Sequence, residues 1–160
     1  MTDTLNPRSS AVFNPALVKD IAVRMKDLDG PLLPILHAVN DAFGYVDERA
    51  LPVIAGVLNL SRAEVYGTAS FYHDFRRQPA GRKVVKICRA EACQSMGAMG
   101  LIASLEKALG VRLGETGADG QLTLEAVYCL GNCALAPAAM IDGRPVGRLD
   151  TEKVLQRVRR

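Results

Sequence analysis

The chain contains no tryptophan, only two histidines and only four cysteines among its 160 residues. Aromatic side chains are scarce and the net charge is only +3, so neither the broad basic face nor the interleaved aromatics of a nucleic-acid binder is present. A basic C-terminal stretch, Arg148, Lys153, Arg157, Arg159 and Arg160, reads as a solvated helix face or a rim that meets an acidic partner. No apolar run approaches the roughly 20 residues that cross a bilayer, so no membrane insertion is expected. Met1 to Arg8 lacks a basic segment followed by an apolar one, which predicts a cytoplasmic protein without a signal peptide. There is no C-x-x-C, the usual mark of a dithiol oxidoreductase. A phosphate-binding G-x-G-x-x-G is also missing. Gly97-Ala98-Met99-Gly100 has the wrong spacing and reads as helix packing.

The histidines supply no catalytic constellation. His37 falls beside Leu36 and Val39 and reads as a packed or capping residue. His73 neighbours Asp74 but has no nucleophile near it in sequence, so polar linker contacts or docking are its expected role. No catalytic residue is assigned.

All four cysteines fall in two pairs, Cys88-Arg-Ala-Glu-Ala-Cys93 and Cys129-Leu-Gly-Asn-Cys133. Each pair sits where a predicted strand gives way to a loop, and two such loops at one end of a sheet can bring four thiolates together. Four thiolates with no open position suit a 2Fe–2S cluster. They also suit zinc, whose knuckles more commonly run C-x₂-C. Two disulfides do not fit a reducing compartment. Small residues line both loops: Ala90, Ala92, Gly97, Ala98, Gly131 and Ala134. They let backbone N–H groups approach sulfur and raise a cluster's potential, or else they only make tight turns. Arg89 and Glu91 push that potential in opposite directions, and the sequence does not rank them. Met96 and Met99 read as core filler or as an adaptable apolar docking surface.

The chain reads as two parts of an α+β protein. Residues 1–13 form a flexible arm. Residues 14–78 hold a helical bundle. Asn14-Pro15 starts its first helix, with Leu17, Val18, Ile21, Met25 and Leu28 at helical spacing. Gly30-Pro31 separates the second, which Gly44 stops. Asp47 caps a third, with Pro52 in its first turn. Ser61 to Glu64 is a capping box for a fourth. Residues 79–160 form the second domain. Lys83–Ile87 is a strand that runs into Cys88, a helix spans about 95–109, and Val111–Leu113 is a second strand. Asp119-Gly120 turns the chain into a third strand over 121–127, Asp142-Gly143 turns another hairpin, and a helix begins at Thr151.

With these residues in view, the chain resembles the thioredoxin-like 2Fe–2S ferredoxin subunits of NADH:quinone oxidoreductase and of NAD-linked hydrogenases and formate dehydrogenases. The resemblance rests on Ile87–Cys93 and on Tyr128–Pro137. It also rests on Leu32–His37, Phe43–Val46 and Glu64–Tyr72. It implies a helical N-terminal bundle followed by a thioredoxin-like 2Fe–2S domain, with the cluster on Cys88, Cys93, Cys129 and Cys133. It further implies FMN and NAD on a larger iron–sulfur partner subunit. Ser70-Phe71-Tyr72-His73-Asp74-Phe75-Arg76 looks most like the gamma subunit of molybdenum-containing, NAD-dependent formate dehydrogenase, which implies a molybdenum-containing catalytic partner.

Overall fold

The computed structural model describes residues 13–159. The arm expected at the N-terminus lies outside these residues except for Phe13, which is half-buried against the helical core with the Arg49 guanidinium 4.3 Å above its ring. Two compact units meet in sequence between Pro79 and Ala80.

The first unit contains four helices: α1 (Pro15–Met25), α2 (Leu32–Phe43), α3 (Ala50–Leu58) and α4 (Arg62–Phe71). Local chemistry starts and stops them. The Asn14 carboxamide accepts from the N–H groups of Ala16 and Leu17 at 3.0 and 3.2 Å. Gly44, in the left-handed region at φ 79°, closes α2 by donating to the Asn40 carbonyl. Ser61 and Glu64 satisfy each other's backbone N–H reciprocally. Asp47 does not cap α3 as expected but sits two residues before the cap position. Arg49 is the residue before α3, and the Asp47 carboxylate grips its N–H and guanidinium, both at 2.9 Å from one oxygen. The helices bury Val18, Ile21, Ile35, Leu36, Val39, Ile54 and Val65 against one another. Leu17 and Leu28 share the helical spacing but stay exposed, Leu28 because α1 ends at Met25.

The second unit is a five-stranded mixed sheet in the order β2-β3-β1-β4-β5. Its strands are β1 (Lys83–Cys88), β2 (Glu115–Thr116), β3 (Leu122–Val127), β4 (Ala139–Ile141) and β5 (Arg144–Val146). Helices α5 (Glu91–Ser95) and α6 (Ala98–Leu109) lie between β1 and β2, and α7 (Thr151–Val158) follows β5. β1 and β3 run parallel, with Cys88 opposite Val127, and the other pairs are antiparallel. The buried core joins Val85 and Ile87 of β1 to Leu101, Ile102 and Leu105 of α6, a helical i, i+1, i+4 stripe.

Two expectations fail here. The helix expected over 95–109 is divided, because Gly97 takes φ 87° and turns the chain between α5 and α6. Val111–Leu113 is not a strand. Val111 is buried in the core, the Leu113 N–H is taken by the Glu106 carboxylate at 2.8 Å, and pairing starts only at Glu115.

Candidate metal centre

Parallel pairing of β1 and β3 puts both cysteine loops at the same end of the sheet, since Cys88 and Val127 are partners at the strand termini. From there the chain enters α5 on one side and the 129–135 loop on the other. The Arg89 N–H donates to the Val127 carbonyl at 2.8 Å, and the Cys88 N–H donates to the Ala138 carbonyl at 3.0 Å, so the two loops are tied to each other. Gln94 returns to donate its side-chain amide to the Arg89 carbonyl at 2.7 Å, which fixes the first loop around Ala90.

The four thiols come together two by two. Cys88 and Cys93 are buried in a small cluster with Ala98 and Ala138 and share a hydrogen bond. Cys129 and Cys133 are exposed, with sulfurs 3.9 Å apart. Two sulfurs on one tetrahedral metal with bonds of ~2.3 Å stand roughly 3.8 Å apart, so that spacing suits two ligands of one ion. Among the described residues, no three His, Cys, Asp or Glu side chains form a single-ion site.

Backbone donors surround the sulfurs. Burial pushes the Cys88 thiol up, but the N–H groups of Ala90, Cys129 and Leu130, together with the Cys93 thiol, carry it below its ordinary value. Cys93 is pushed up, first by burial and then by the nearby Cys88, against the Ala138 N–H. Cys133 is raised, chiefly by its hydrogen bond and charge interaction with Cys129. Gly131 donates its N–H to the Cys129 sulfur at 3.4 Å. A thiolate-only donor set wrapped in N–H groups fits an anionic iron–sulfur group.

The second loop is strained and tightly packed. Cys129 adopts φ 78°, a left-handed conformation that costs a non-glycine residue about 1–2 kcal/mol. Gly131 follows at φ 74°, where glycine carries no such cost. Gly147 packs directly against Leu135 at the end of this loop.

Neither histidine joins the centre. His37 is exposed, with its ring edge-on to Phe75 at 4.9 Å, and His73 is exposed; both belong to the helical unit. Met96 and Met99 are not core filler. They are 61% and 44% exposed: Met96 lies in the turn between α5 and α6, and Met99 lies off the face on which α6 buries Ala98, Leu101 and Leu105. Three residues have roles that the sequence did not signal: Gln94, Ala138 and Gly147. Ala138 and Gly147 act on segments distant in sequence, and the bond from Gln94 to a carbonyl five residues back has no sequence signature.

The mixed sheet with two cysteine loops at one end marks the class, a domain built to present four thiols together. The chain belongs to the thioredoxin-like 2Fe-2S ferredoxin family, whose profile matches residues 18–160, and proteins of this family bind a 2Fe–2S cluster. It is 42% identical over 107 residues to the E subunit of NADH-quinone oxidoreductase from Pseudomonas aeruginosa, covering 67% of this chain and 64% of that one. It is 39% identical over 119 residues to the Escherichia coli K12 counterpart, covering 74% and 72%. Among solved structures, an NAD+-reducing NiFe-hydrogenase in the air-oxidised state superimposes with a TM-score of 0.67 at 30% identity. The match covers 80% of this chain and 22% of that one.

Proposed function

We propose that this protein holds one 2Fe–2S cluster on Cys88, Cys93, Cys129 and Cys133. In this reading it exchanges electrons with an FMN- and NAD-binding subunit of a cytoplasmic NAD-linked oxidoreductase. The observation that carries the reading is the two-by-two grouping of the thiols at one end of the sheet, one pair buried and one exposed. When bound, the cluster supplies one-electron chemistry. The residues around it exclude water on the Cys88–Cys93 side and leave the Cys129–Cys133 side open to a partner. Among the described residues no helix is long and apolar enough to cross a membrane, which accords with a partner docked from solution.

Within that class we favour the gamma-type subunit of a molybdenum-containing formate dehydrogenase, on the strength of Ser70–Arg76. The similarity to NADH-quinone oxidoreductase chains and to an NAD+-reducing hydrogenase favours a second reading, the equivalent subunit of one of those complexes. A zinc-stabilised interaction module is the remote alternative.

Anaerobic purification of the natural complex tests the reading. Two irons and two acid-labile sulfides per chain, a co-purifying flavin subunit and formate-dependent reduction of NAD+ support it. Zinc without sulfide overturns the cluster, and hydrogen-dependent NAD+ reduction moves the assignment to hydrogenase. The isolated chain should not be reduced by NADH until the flavin subunit is added, since it holds no nucleotide fingerprint of its own.

A further inference from the structure

Between the two cysteines of the first loop lie opposite charges, Arg89 and Glu91, and the structure treats them differently. Glu91 is exposed in the first turn of α5, where water and salt screen its charge. Arg89 is half-buried, and its Nε is fully buried without a hydrogen-bond partner. No ion pair to Arg89 is formed among the described residues. Its main chain is held at both ends, the N–H by Val127 and the carbonyl by the Gln94 amide. The Arg89 backbone is therefore fixed next to Cys88 in the chain, its Nε is buried, and no carboxylate pairs with its guanidinium among the described residues.

We propose that Arg89 sets the reduction potential of the group held at Cys88 and Cys93, and that it outweighs Glu91. The inference rests on the cluster reading above. A 2Fe–2S centre on four thiolates is anionic and gains one further negative charge on reduction. A positive charge in a partly desolvated setting beside the centre stabilises that reduced form and raises the potential. An exposed carboxylate opposes it only through a screened interaction. An anionic acceptor beside Cys88 would also account for a buried Nε–H that finds no partner within the protein.

The test uses the full-length chain with its cluster in four forms: wild type, Arg89→Gln, Arg89→Lys and Glu91→Gln. Arg89→Met runs beside the Gln variant as a second charge removal that keeps the aliphatic stem. Iron and labile sulfide are measured for each, and the midpoint potential is read from an EPR-monitored redox titration. Removing the charge at Arg89 should lower the potential, Lys should restore most of it, and Glu91→Gln should raise it by a smaller step. Added salt should shrink the Glu91→Gln step more than the Arg89→Gln step. A cluster whose potential stays put or rises in both Arg89→Gln and Arg89→Met overturns the inference, as does a Glu91→Gln step of equal size. Failure of both Arg89→Gln and Arg89→Met to load the cluster assigns Arg89 a structural role and also overturns it. A wild-type chain that carries no iron and sulfide overturns the cluster reading itself, and this inference with it.

Discussion

Gly147 lies so close to the second cysteine loop that a Cβ there would stand 2.7 Å from the Leu135 carbonyl oxygen and 3.0 Å from the Asn132 side-chain nitrogen. The next residue, Arg148, donates its N–H to that same carbonyl at 2.6 Å. The segment after β5 thus clamps the loop that carries Cys133, and only glycine leaves room for the clamp. Gly147→Ala should push the loop away, at an overpacking cost of about 1–3 kcal/mol. Lower iron retention after desalting, together with a lower melting temperature of the cluster-free chain, is the expected result. A variant that matches wild type in both would show that the loop yields freely.

The two cysteine pairs should also fail in different ways. Alanine at any of the four positions should abolish a normal 2Fe–2S EPR signal. Cys88 and Cys93 are each 2% exposed within a packed cluster, so their truncation should also destabilise the cluster-free fold, by about 1 kcal/mol for the atoms removed from burial. Cys129 and Cys133 are exposed, and alanine there should leave the cluster-free melting temperature close to wild type. Chemical denaturation of the four metal-free variants reads the difference. An unaltered EPR signal in any one of them removes that cysteine from the ligand set.

What the sequence made legible was local. The Ser61–Glu64 capping box, the Asn14 cap and the Gly44 stop each depend on residues within four positions, and each forms as read. The strand ahead of Cys88 was legible because Val84, Val85 and Ile87 announce a doubly buried strand. β2 was not legible, because Glu115 and Thr116 are both exposed and carry no apolar alternation. Their strand exists through pairing with Leu124 and Thr123. At the site, the cysteine spacing identified the four thiols but could not reveal that the Ala138 N–H meets Cys93, or that Gly147 presses on Leu135. Those contacts join segments that only the sheet order brings together. Nor could spacing rank Arg89 against Glu91, because both lie in one loop and only burial separates them.

Acid should weaken the helix starts in a definite direction. The Ser61 hydroxyl and N–H hold the Glu64 carboxyl below its ordinary value of 4.5. The Lys153 side chain and N–H likewise hold Asp150, the cap of α7, below 3.8. A carboxyl whose folded value is depressed binds its proton more readily in the unfolded chain, so it stabilises the fold fully above the unfolded value. That contribution fades as pH falls through the lower folded value. The melting temperature of the cluster-free chain should therefore decline as pH drops below about 4.5. In Glu64→Gln the decline should be shallower, from a lower starting point at neutral pH. Parallel curves for the two proteins would remove Glu64 from the acid response.

Each unit carries a core of its own, and this leads to a prediction about how the work is divided. The first buries Ile35, Leu36, Val39, Ile54 and Val65 among its helices; the second buries Val85, Ile87, Leu105, Leu124 and Val154 around its sheet. All four cysteines and every described strand belong to the second. A chain of residues 80–160 should therefore fold and take up the cluster by itself, with the visible and EPR spectra of the full protein. The helical unit supplies none of the ligands, yet it presents Tyr66, Phe71 and Tyr72 to solvent at 45%, 73% and 42% exposure. Exposed aromatics that solubility alone would not favour suit a partner surface, and electron transfer depends on a fixed, short path to the next cofactor. Titration of the flavin subunit with the truncated chain should give markedly weaker binding than with full-length protein. The Phe71→Ser variant of the full chain should fall between the two, with its cluster spectrum unchanged. If residues 80–160 bind as tightly as the whole, docking resides in the cluster domain, and the exposed aromatics at Tyr66, Phe71 and Tyr72 have another role.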